Sequence, residues 1–497
     1  MGMFGLSLDY LSLFGVVSIT MIILHMLYLR FSFIIVASEG AFFLVITSVL
    51  WLITTLNILV YKNLLYVVHY DLTYFTIVNL DLGSIPSNLL LSYSQVLFIW
   101  ESWLVIDSYS YPFVYTFLVV IALSFINCLS YHRDELRSFI LFLQLIIIAG
   151  FIVFTTNSMI LFFLAYEALL VPSFMILYRF AKSRRCVEAA YAMFFWTQFG
   201  ALLIIFAFVY IFHSTLSGDF LLLSITNFTS VEINFLCLLL FFGFGVKFPI
   251  WPFYGWLPKA HVEASANFSI FLSGVLVKFA FFGLLKCLYV LELDPSFIWL
   301  YPFLTWGIFE VISRIFFQID LKKLIAYVTT VEMHWLAICM VTGNSPLWIS
   351  GACMLISHAL ISTNSFLILD AITRRFHTRL ITEISGLSFI APQLFIIAFV
   401  NLILNLGFPG SLFFIAESLF FTFMFDLWPL AAFYFFLFLY LFGPLFYFKG
   451  WVNTLFSYSY LLSRTLPLDI TLRESFLFFG IPVLLYWLGV TWPIFIF

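Results

Sequence analysis

The chain reads as an all-α polytopic membrane protein, and three observations predict that class. Charge is scarce, the apolar runs are continuous, and the basic residues gather on alternate loops. Of 497 residues, 64% are hydrophobic and 9% are charged, whereas a soluble domain carries about 25% charged residues. About 20 mostly apolar residues suffice to cross the hydrocarbon core. Lipid offers the backbone no hydrogen-bond partner, so a spanning segment must be a helix or part of a closed barrel. Barrel strands alternate apolar and polar residues. These runs do not alternate, which leaves helices.

Fourteen spans are expected, near 10–36, 41–61, 110–130, 138–155, 157–178, 189–213, 233–257, 266–289, 296–317, 321–342, 346–369, 388–425, 428–448 and 476–496. The segment 62–109 is an amphipathic connection rich in Tyr and Ser. The chain thus divides into an N-terminal part (1–109), a core (110–448) and a C-terminal loop with the last span (449–497), without a boundary that separates independent domains. Charge tests this count, because Lys and Arg are retained on one side of a membrane. Of the 21 Lys and Arg, sixteen fall in loops that follow odd-numbered spans: Arg30, Arg133, Arg137, Arg179, Lys182, Arg184, Arg185, Lys259, Lys322, Lys323, Arg374, Arg375, Arg379, Lys449, Arg464 and Arg473. The even-numbered loops receive only Lys62 and Lys286, while Lys247, Lys278 and Arg314 fall within spans. A miscounted span would scramble this asymmetry.

Several function classes are disfavoured. A net charge of −3 and the lack of a basic stripe argue against a nucleic-acid partner. The six cysteines, Cys128, Cys186, Cys237, Cys287, Cys339 and Cys353, are isolated singles. They fit apolar packing better than an iron–sulfur or zinc site. Neither a Gly-x-Gly-x-x-Gly nor a Walker-type loop occurs, so no bound nucleotide is expected. The N-terminus has neither a cleavable signal pattern nor an Arg/Ser-rich presequence, and the first span is expected to be retained. The 68 phenylalanines fit an AT-rich coding sequence and hint at an organelle genome.

Two spans carry helix breakers. The seventh contains Gly243, Gly245, Pro249, Pro252 and Pro258; the twelfth contains Gly407, Pro409 and Gly410. Proline removes a backbone donor and clashes with the preceding turn, and broken backbone at membrane depth persists only against protein or a wet cavity. Paired breaks are a mark of transporters with internal repeats.

An ionisable side chain near the bilayer centre costs about 2.5–3.5 kcal/mol on insertion scales, which makes it a functional candidate. Glu167, Lys247, Lys278 and Glu417 are the central cases, with His358, Glu332 and His334 less central. Buried acid–amine pairs change proton affinity when a partner moves, and a row of them joined by water can pass a proton. A static ion pair that orients helices is the competing reading for Glu167 with Lys247. Glu310 and Arg314 stand one turn apart and read as a local ion pair. His334 and His358 lack partners at metal-ligand spacing, which disfavours haem and copper.

These residues carry a family resemblance. WLPKAHVEA (Trp256 to Ala264), the Glu167-to-Pro172 segment, Val246-Lys247-x-Pro249, Lys278, DLKKLIAY (Asp320 to Tyr327), SHALIS around His358, and Pro409-Gly410 with Glu417 eight residues on occur in the family's order over about residues 105–425. The chain resembles the antiporter-like subunit 4 (chain M) family of respiratory complex I, NADH:ubiquinone oxidoreductase. The resemblance implies a fold of about 14 transmembrane helices, with spans 4–8 and 9–13 as two inverted five-helix repeats. It also implies proton translocation across the mitochondrial inner membrane, coupled to NADH oxidation and quinone reduction in other subunits. Glu167 and Lys247 would be the coupling pair, Lys278 the central relay, Glu417 the outlet and His358 a connector, with Glu332 and His334 as further relay candidates. FMN, iron–sulfur clusters, NADH and ubiquinone would be handled elsewhere in the complex, and this chain would bind none of them. Its partners would be neighbouring membrane-arm subunits and lipids. Sister subunits usually carry Lys at the twelfth-span position, so Glu417 favours subunit 4. Three positions depart from the family pattern: Glu332 stands where relatives usually have His, Ser265 replaces a Pro, and Glu310 falls at an apolar position. The rival readings are a cation/proton antiporter subunit and a non-transporting spacer of the membrane arm.

Overall fold

A computed structural model of the chain describes residues 110–128, 133–180, 183–215, 218–220, 228–290, 300–341, 345–437, 442–457 and 469–496. The spans expected at 10–36 and 41–61 and the connection 62–109 lie outside the described residues. Two compact units are recognised. One comprises 1–102 with 121–140, and the other comprises 103–120 with 141–497. The described part of the first unit is helical; there Ser124 returns its hydroxyl to the Ile121 carbonyl at 2.8 Å, the usual way a serine is satisfied in an apolar helix.

The described residues are helical, with isolated bridges at Ser158–Asp219 and Asp320–Leu380 and no longer strand pairing. By length and composition, seven helices among them could cross a membrane, and three shorter apolar helices accompany these. The helices are α1 (Tyr111–Cys128), α2 (Arg133–Thr155), α3 (Met159–Ala168), α4 (Leu170–Arg179), α5 (Arg184–Thr215), α6 (Ser230–Lys247), α7 (Trp256–Glu263), α8 (Ala266–Phe271), α9 (Val277–Val290), α10 (Tyr301–Phe316), α11 (Leu321–Val341) and α12 (Ser345–Phe376). They continue with α13 (Leu387–Ile390), α14 (Pro392–Asn405), α15 (Leu412–Leu427), α16 (Pro429–Leu437), α17 (Gly443–Phe456) and α18 (Leu472–Ile496).

Local chemistry sets the ends of these helices. α6 starts in a capping box: the Thr229 hydroxyl accepts from the Glu232 N–H, and the Glu232 carboxylate accepts from the Thr229 N–H at 2.9 Å. α5 and α6 approach closely because both are glycine at the crossing. A Cβ on Gly200 would stand 2.5 Å from the Gly243 carbonyl oxygen.

Both expected breaks are present. α6 stops at Lys247, the chain runs irregularly to a short 3-10 turn at Phe253–Gly255, and α7 then begins. The Trp256 indole donates to the Val246 carbonyl at 2.7 Å and so satisfies an acceptor freed by the break. The long twelfth run divides into α14 and α15 around a turn in which Gly407 and Gly410 adopt φ of +72° and +90°. Only glycine enters that region without strain.

Apolar residues face outward on α3, α4 and α5: Leu164, Val171, Phe195, Phe206 and Val209 are all exposed. By contrast, the most apolar 18-residue stretches of Ala266–Leu288 and Leu347–Phe376 are wholly buried within the bundle. α12 packs against α8, α11, α14, α15 and α18, so the charged residues of the centre are gathered around it.

Candidate functional site

Lys278, His358 and Glu332 form a contact chain inside the bundle. A π-helical stretch at Leu272–Leu276 interrupts the helix before α9, a local widening that is frequent at functional sites. The Lys278 ammonium reaches back to the Ser273 carbonyl at this stretch and also meets His358 Nδ1 at 2.6 Å. The other ring nitrogen, His358 Nε2, lies 3.0 Å from Glu332 Oε2, close enough for an ion pair yet not aligned as a hydrogen bond. All three side chains are buried, Lys278 at 1% exposure. They come from α9, α12 and α11, so the chain crosses three helices.

Glu332 also lies within electrostatic range of Glu417 on α15. Glu417 is buried at the α14–α15 turn, where the carboxylate takes the space a side chain would need at Gly407. The break therefore brings main chain against a carboxylate, an approach only a residue without Cβ allows.

The pair expected from Glu167 and Lys247 is arranged differently. The Lys247 ammonium donates to the Tyr166 carbonyl at 3.0 Å and lies 3.7 Å above the Tyr166 ring. Glu167 turns its Oε2 toward the Gln198 amide at 2.8 Å, and its Oε1 is buried with no hydrogen-bond partner. No direct ion pair joins them, although Lys247 lies within electrostatic range of Glu167. Neighbouring residues of one helix thus hold the two partners: Tyr166 takes the lysine and Glu167 faces Gln198.

His334 stands apart from the Lys278–His358–Glu332 chain. Its Nε2 accepts from the Trp251 N–H at 2.7 Å, and its Nδ1 lies 2.7 Å from the Thr330 carbonyl. A carbonyl only accepts, so Nδ1 carries the proton and the ring is neutral in this arrangement. Gly307 on α10 makes the room, since a Cβ there would overlap the imidazole. Glu310 and Arg314 form the local pair expected of them, at 2.5 Å, and Glu310 accepts from the Tyr254 hydroxyl at 2.9 Å.

Other buried polar residues were not singled out from sequence. His261 is fully buried on α7, stacked 4.8 Å from the Phe366 ring, with neither nitrogen hydrogen-bonded. It lies within electrostatic range of Lys278 and Lys322. Lys322 was expected in a loop, but it belongs to α11, is buried, and donates to the Ala264 carbonyl. Lys286 was likewise assigned to a loop. It lies in α9, buried against the Phe220 and Phe282 rings, and donates to the Thr156 carbonyl. An amide row follows on: Asn364 Nδ2 donates to Asn401 Oδ1 at 3.0 Å, and Asn401 Nδ2 donates to Ser365 Oγ at 2.8 Å. No cluster of three or more His, Cys, Asp or Glu positioned to hold a metal occurs among the described residues.

Known proteins resemble this chain in sequence and fold. Residues 156–443 match the family described as NADH:quinone oxidoreductase/Mrp antiporter, transmembrane. A NADH-ubiquinone oxidoreductase chain 4 of Paramecium tetraurelia is 33% identical over 330 residues, covering 66% of this chain and 69% of the relative. The chain 4 of Arabidopsis thaliana is 30% identical over 402 residues, 78% of each. Among solved structures, respiratory complex I from Thermus thermophilus with bound NADH contains a chain of similar fold, with a TM-score of 0.71 at 19% identity, covering 78% of this chain and 82% of that one. The Mrp complex of a Dietzia species has one at a TM-score of 0.72 and 16% identity, covering 79% and 82%. The match over more than half the chain, together with these relatives, shows that the chain belongs to the NADH:quinone oxidoreductase/Mrp antiporter family, as a member of its complex I subunit 4 type.

Proposed function

We propose that this chain is a proton-translocating membrane-arm subunit of a NADH:ubiquinone oxidoreductase. It would work in the mitochondrial inner membrane beside other antiporter-like subunits. About fourteen spans in two inverted repeats would frame it, and the redox groups would sit in other subunits. The observation that carries this reading is the buried Lys278–His358–Glu332 chain. A lysine, an imidazole and a carboxylate in contact can exchange protons over hydrogen-bond distances. In an enclosed site each transfer changes the field felt by the next group.

In this reading Glu167 and Lys247 form the coupling pair in its open state, with the lysine parked on Tyr166. When Lys247 leaves the Tyr166 carbonyl for Glu167, the local field at Lys278 changes and favours proton release toward His358. Glu332 receives the proton and Glu417 marks the outlet, with the Asn364–Asn401 row as a polar continuation. His334 holds the broken segment to α11 and acts as a positioning residue.

His358→Leu in the assembled complex, reconstituted in sealed vesicles, tests the reading. Proton uptake driven by NADH oxidation should fall by about 100-fold, the scale of a lost proton-transfer group, while assembly on a native gel is retained. Full coupling in that variant would overturn it. A cation/proton antiporter subunit is favoured by the fold alone, given the likeness to the Mrp complex. Copurification with NADH-oxidising subunits separates the two.

A further inference from the structure

Away from the buried charges, a cavity of about 400 Å³ opens between α5, the broken segment 252–259, α10 and α11. Its lining combines three cationic side chains, Lys259, Arg314 and Lys323, with the rings of Trp196, Phe253 and Tyr327. Arg314 is occupied by Glu310 at 2.5 Å. The other two cations have no acidic partner among the described residues. Lys259 is exposed, and Lys323 Nζ hangs 5.9 Å from the Tyr327 ring, at the far limit of a cation–π contact. The cavity lining therefore carries a net positive charge that no acidic side chain among the described residues pairs with.

Its position indicates the ligand. Lys259 lies in α7 and Lys323 in the first turn of α11, at positions the sequence assigns to the side on which the basic residues gather. α5 leads into the cavity from Arg184 on that same side. Trp196 lines the cavity and is exposed, and Phe195 and Phe199 beside it on α5 are exposed apolar residues too. Paired ammonium groups under an aromatic rim, with an apolar track running from it, match a phosphodiester headgroup with acyl chains. Basic pockets between spanning helices on this side are where anionic headgroups dock. Aromatic side chains settle at the same headgroup depth. A free phosphate would use the lysines and leave the apolar track idle.

We propose that this cavity binds the phosphate of an anionic phospholipid, held by Lys259 and Lys323, with the acyl chains lying along the exposed face of α5. Gly255 forms part of the wall. Its backbone is right-handed helical, φ −61° and ψ −21°, and a Cβ built there meets nothing within 4 Å. A larger residue at 255 should therefore fill the cavity without straining the chain. The proposal is independent of the proton-relay assignments, since neither lysine belongs to that relay.

The intact complex is purified, stripped of loosely held lipid, and re-lipidated in nanodiscs of phosphatidylcholine alone or mixed with phosphatidylglycerol. Retained lipid is then read by native mass spectrometry. Wild type should keep phosphatidylglycerol selectively. Lys259→Gln with Lys323→Gln should lower retention by about fivefold for each lysine removed. Lys259→Arg with Lys323→Arg should retain it, and Gly255→Leu should lose it through volume with both charges present. Unchanged retention in the glutamine pair and in Gly255→Leu overturns the proposal. So does competition by inorganic phosphate as effective as that by phosphatidylglycerol vesicles, which would identify a free-anion site. If the glutamine pair fails to assemble, Gly255→Leu against the arginine pair decides alone.

Discussion

Two regions of the bundle hold buried charge in opposite ways. Around Lys278 the groups touch: ammonium to imidazole at 2.6 Å, imidazole to carboxylate at 3.0 Å. Around Lys247 the opposite charges are kept apart, the lysine on the Tyr166 carbonyl and ring and the carboxylate on Gln198. A buried charge must be compensated somehow, so each region has solved the same problem with different partners. In the closed region the ionisable groups compensate one another, the arrangement that the proposed proton path would use. In the parted region a neutral dipole holds each charge, with a ring beneath the lysine, and the ion pair would be the second state of the proposed coupling pair. A switch needs such a pair of arrangements, and a conduit needs contact. We assign the first role to Glu167 and Lys247 and the second to Lys278, His358 and Glu332.

The largest expected effect comes from opening the closed region at its centre. Lys278→Met keeps volume and removes the ammonium that His358 and the Ser273 carbonyl share. NADH-driven proton uptake in vesicles should fall by about 100-fold or more, with assembly retained. If uptake survives, contact along this chain is not what carries the proton.

Next is the carboxylate that departs from the family pattern. Glu332→Gln removes the charge facing His358 and should lower uptake by about tenfold, a loss of about 1.4 kcal/mol. Glu332→His introduces the residue that the family resemblance leads one to expect there and should recover most of it, since the group still titrates. A glutamine variant as active as the histidine variant would show that position 332 only fills space.

Much of this was legible in the residues. Glu167, Lys247, Lys278 and Glu417 stood out because each interrupts an apolar run, and the two breaks stood out because Gly and Pro cluster nowhere else so densely. Glu332 and His334, two residues apart, sit about 200° apart around a helix, so their separate destinations followed from the spacing. What did not follow was which neighbour holds each charge. Lys247 rests on a main-chain carbonyl, a group every residue has and no pattern marks. Lys286 and Lys322 sat at the ends of apolar runs and passed for loop residues; α9 and α11 extend past them, and distant carbonyls of Thr156 and Ala264 receive them. His261 was overlooked because WLPKAHVEA is too polar to register as a span, yet the break at 248–255 folds it inside.

His334 tests whether the parted region depends on the geometry of the break. His334→Ala leaves the Trp251 N–H without its acceptor and should cost about 1–3 kcal/mol of stability, seen as a lower melting temperature of the complex. Uptake should decline by less than the Lys278 variant shows. His334→Gln, which restores an acceptor, should recover stability. A loss of uptake as deep as that of Lys278→Met, without a loss of stability, would instead place His334 in the relay.

The smallest effect, and the sharpest on the switch itself, is expected at Gln198. Its amide holds Glu167 Oε2 at 2.8 Å, while Oε1 is left unbonded. Gln198→Leu frees the carboxylate, whose nearest compensation is then Lys247, so the pair should close and stay closed. Because Glu167 is only half-buried, uptake should fall about threefold to tenfold, less than a fully buried hydrogen bond to a charged group would cost, about 1.5–3 kcal/mol. If Gln198 acts through Glu167 alone, Glu167→Gln added to Gln198→Leu should cost no more than Glu167→Gln by itself. Residues that share one interaction are non-additive in this way. Fully additive losses would mean that Gln198 and Glu167 work separately, and the parted arrangement around Lys247 would then be a resting geometry rather than half of a switch.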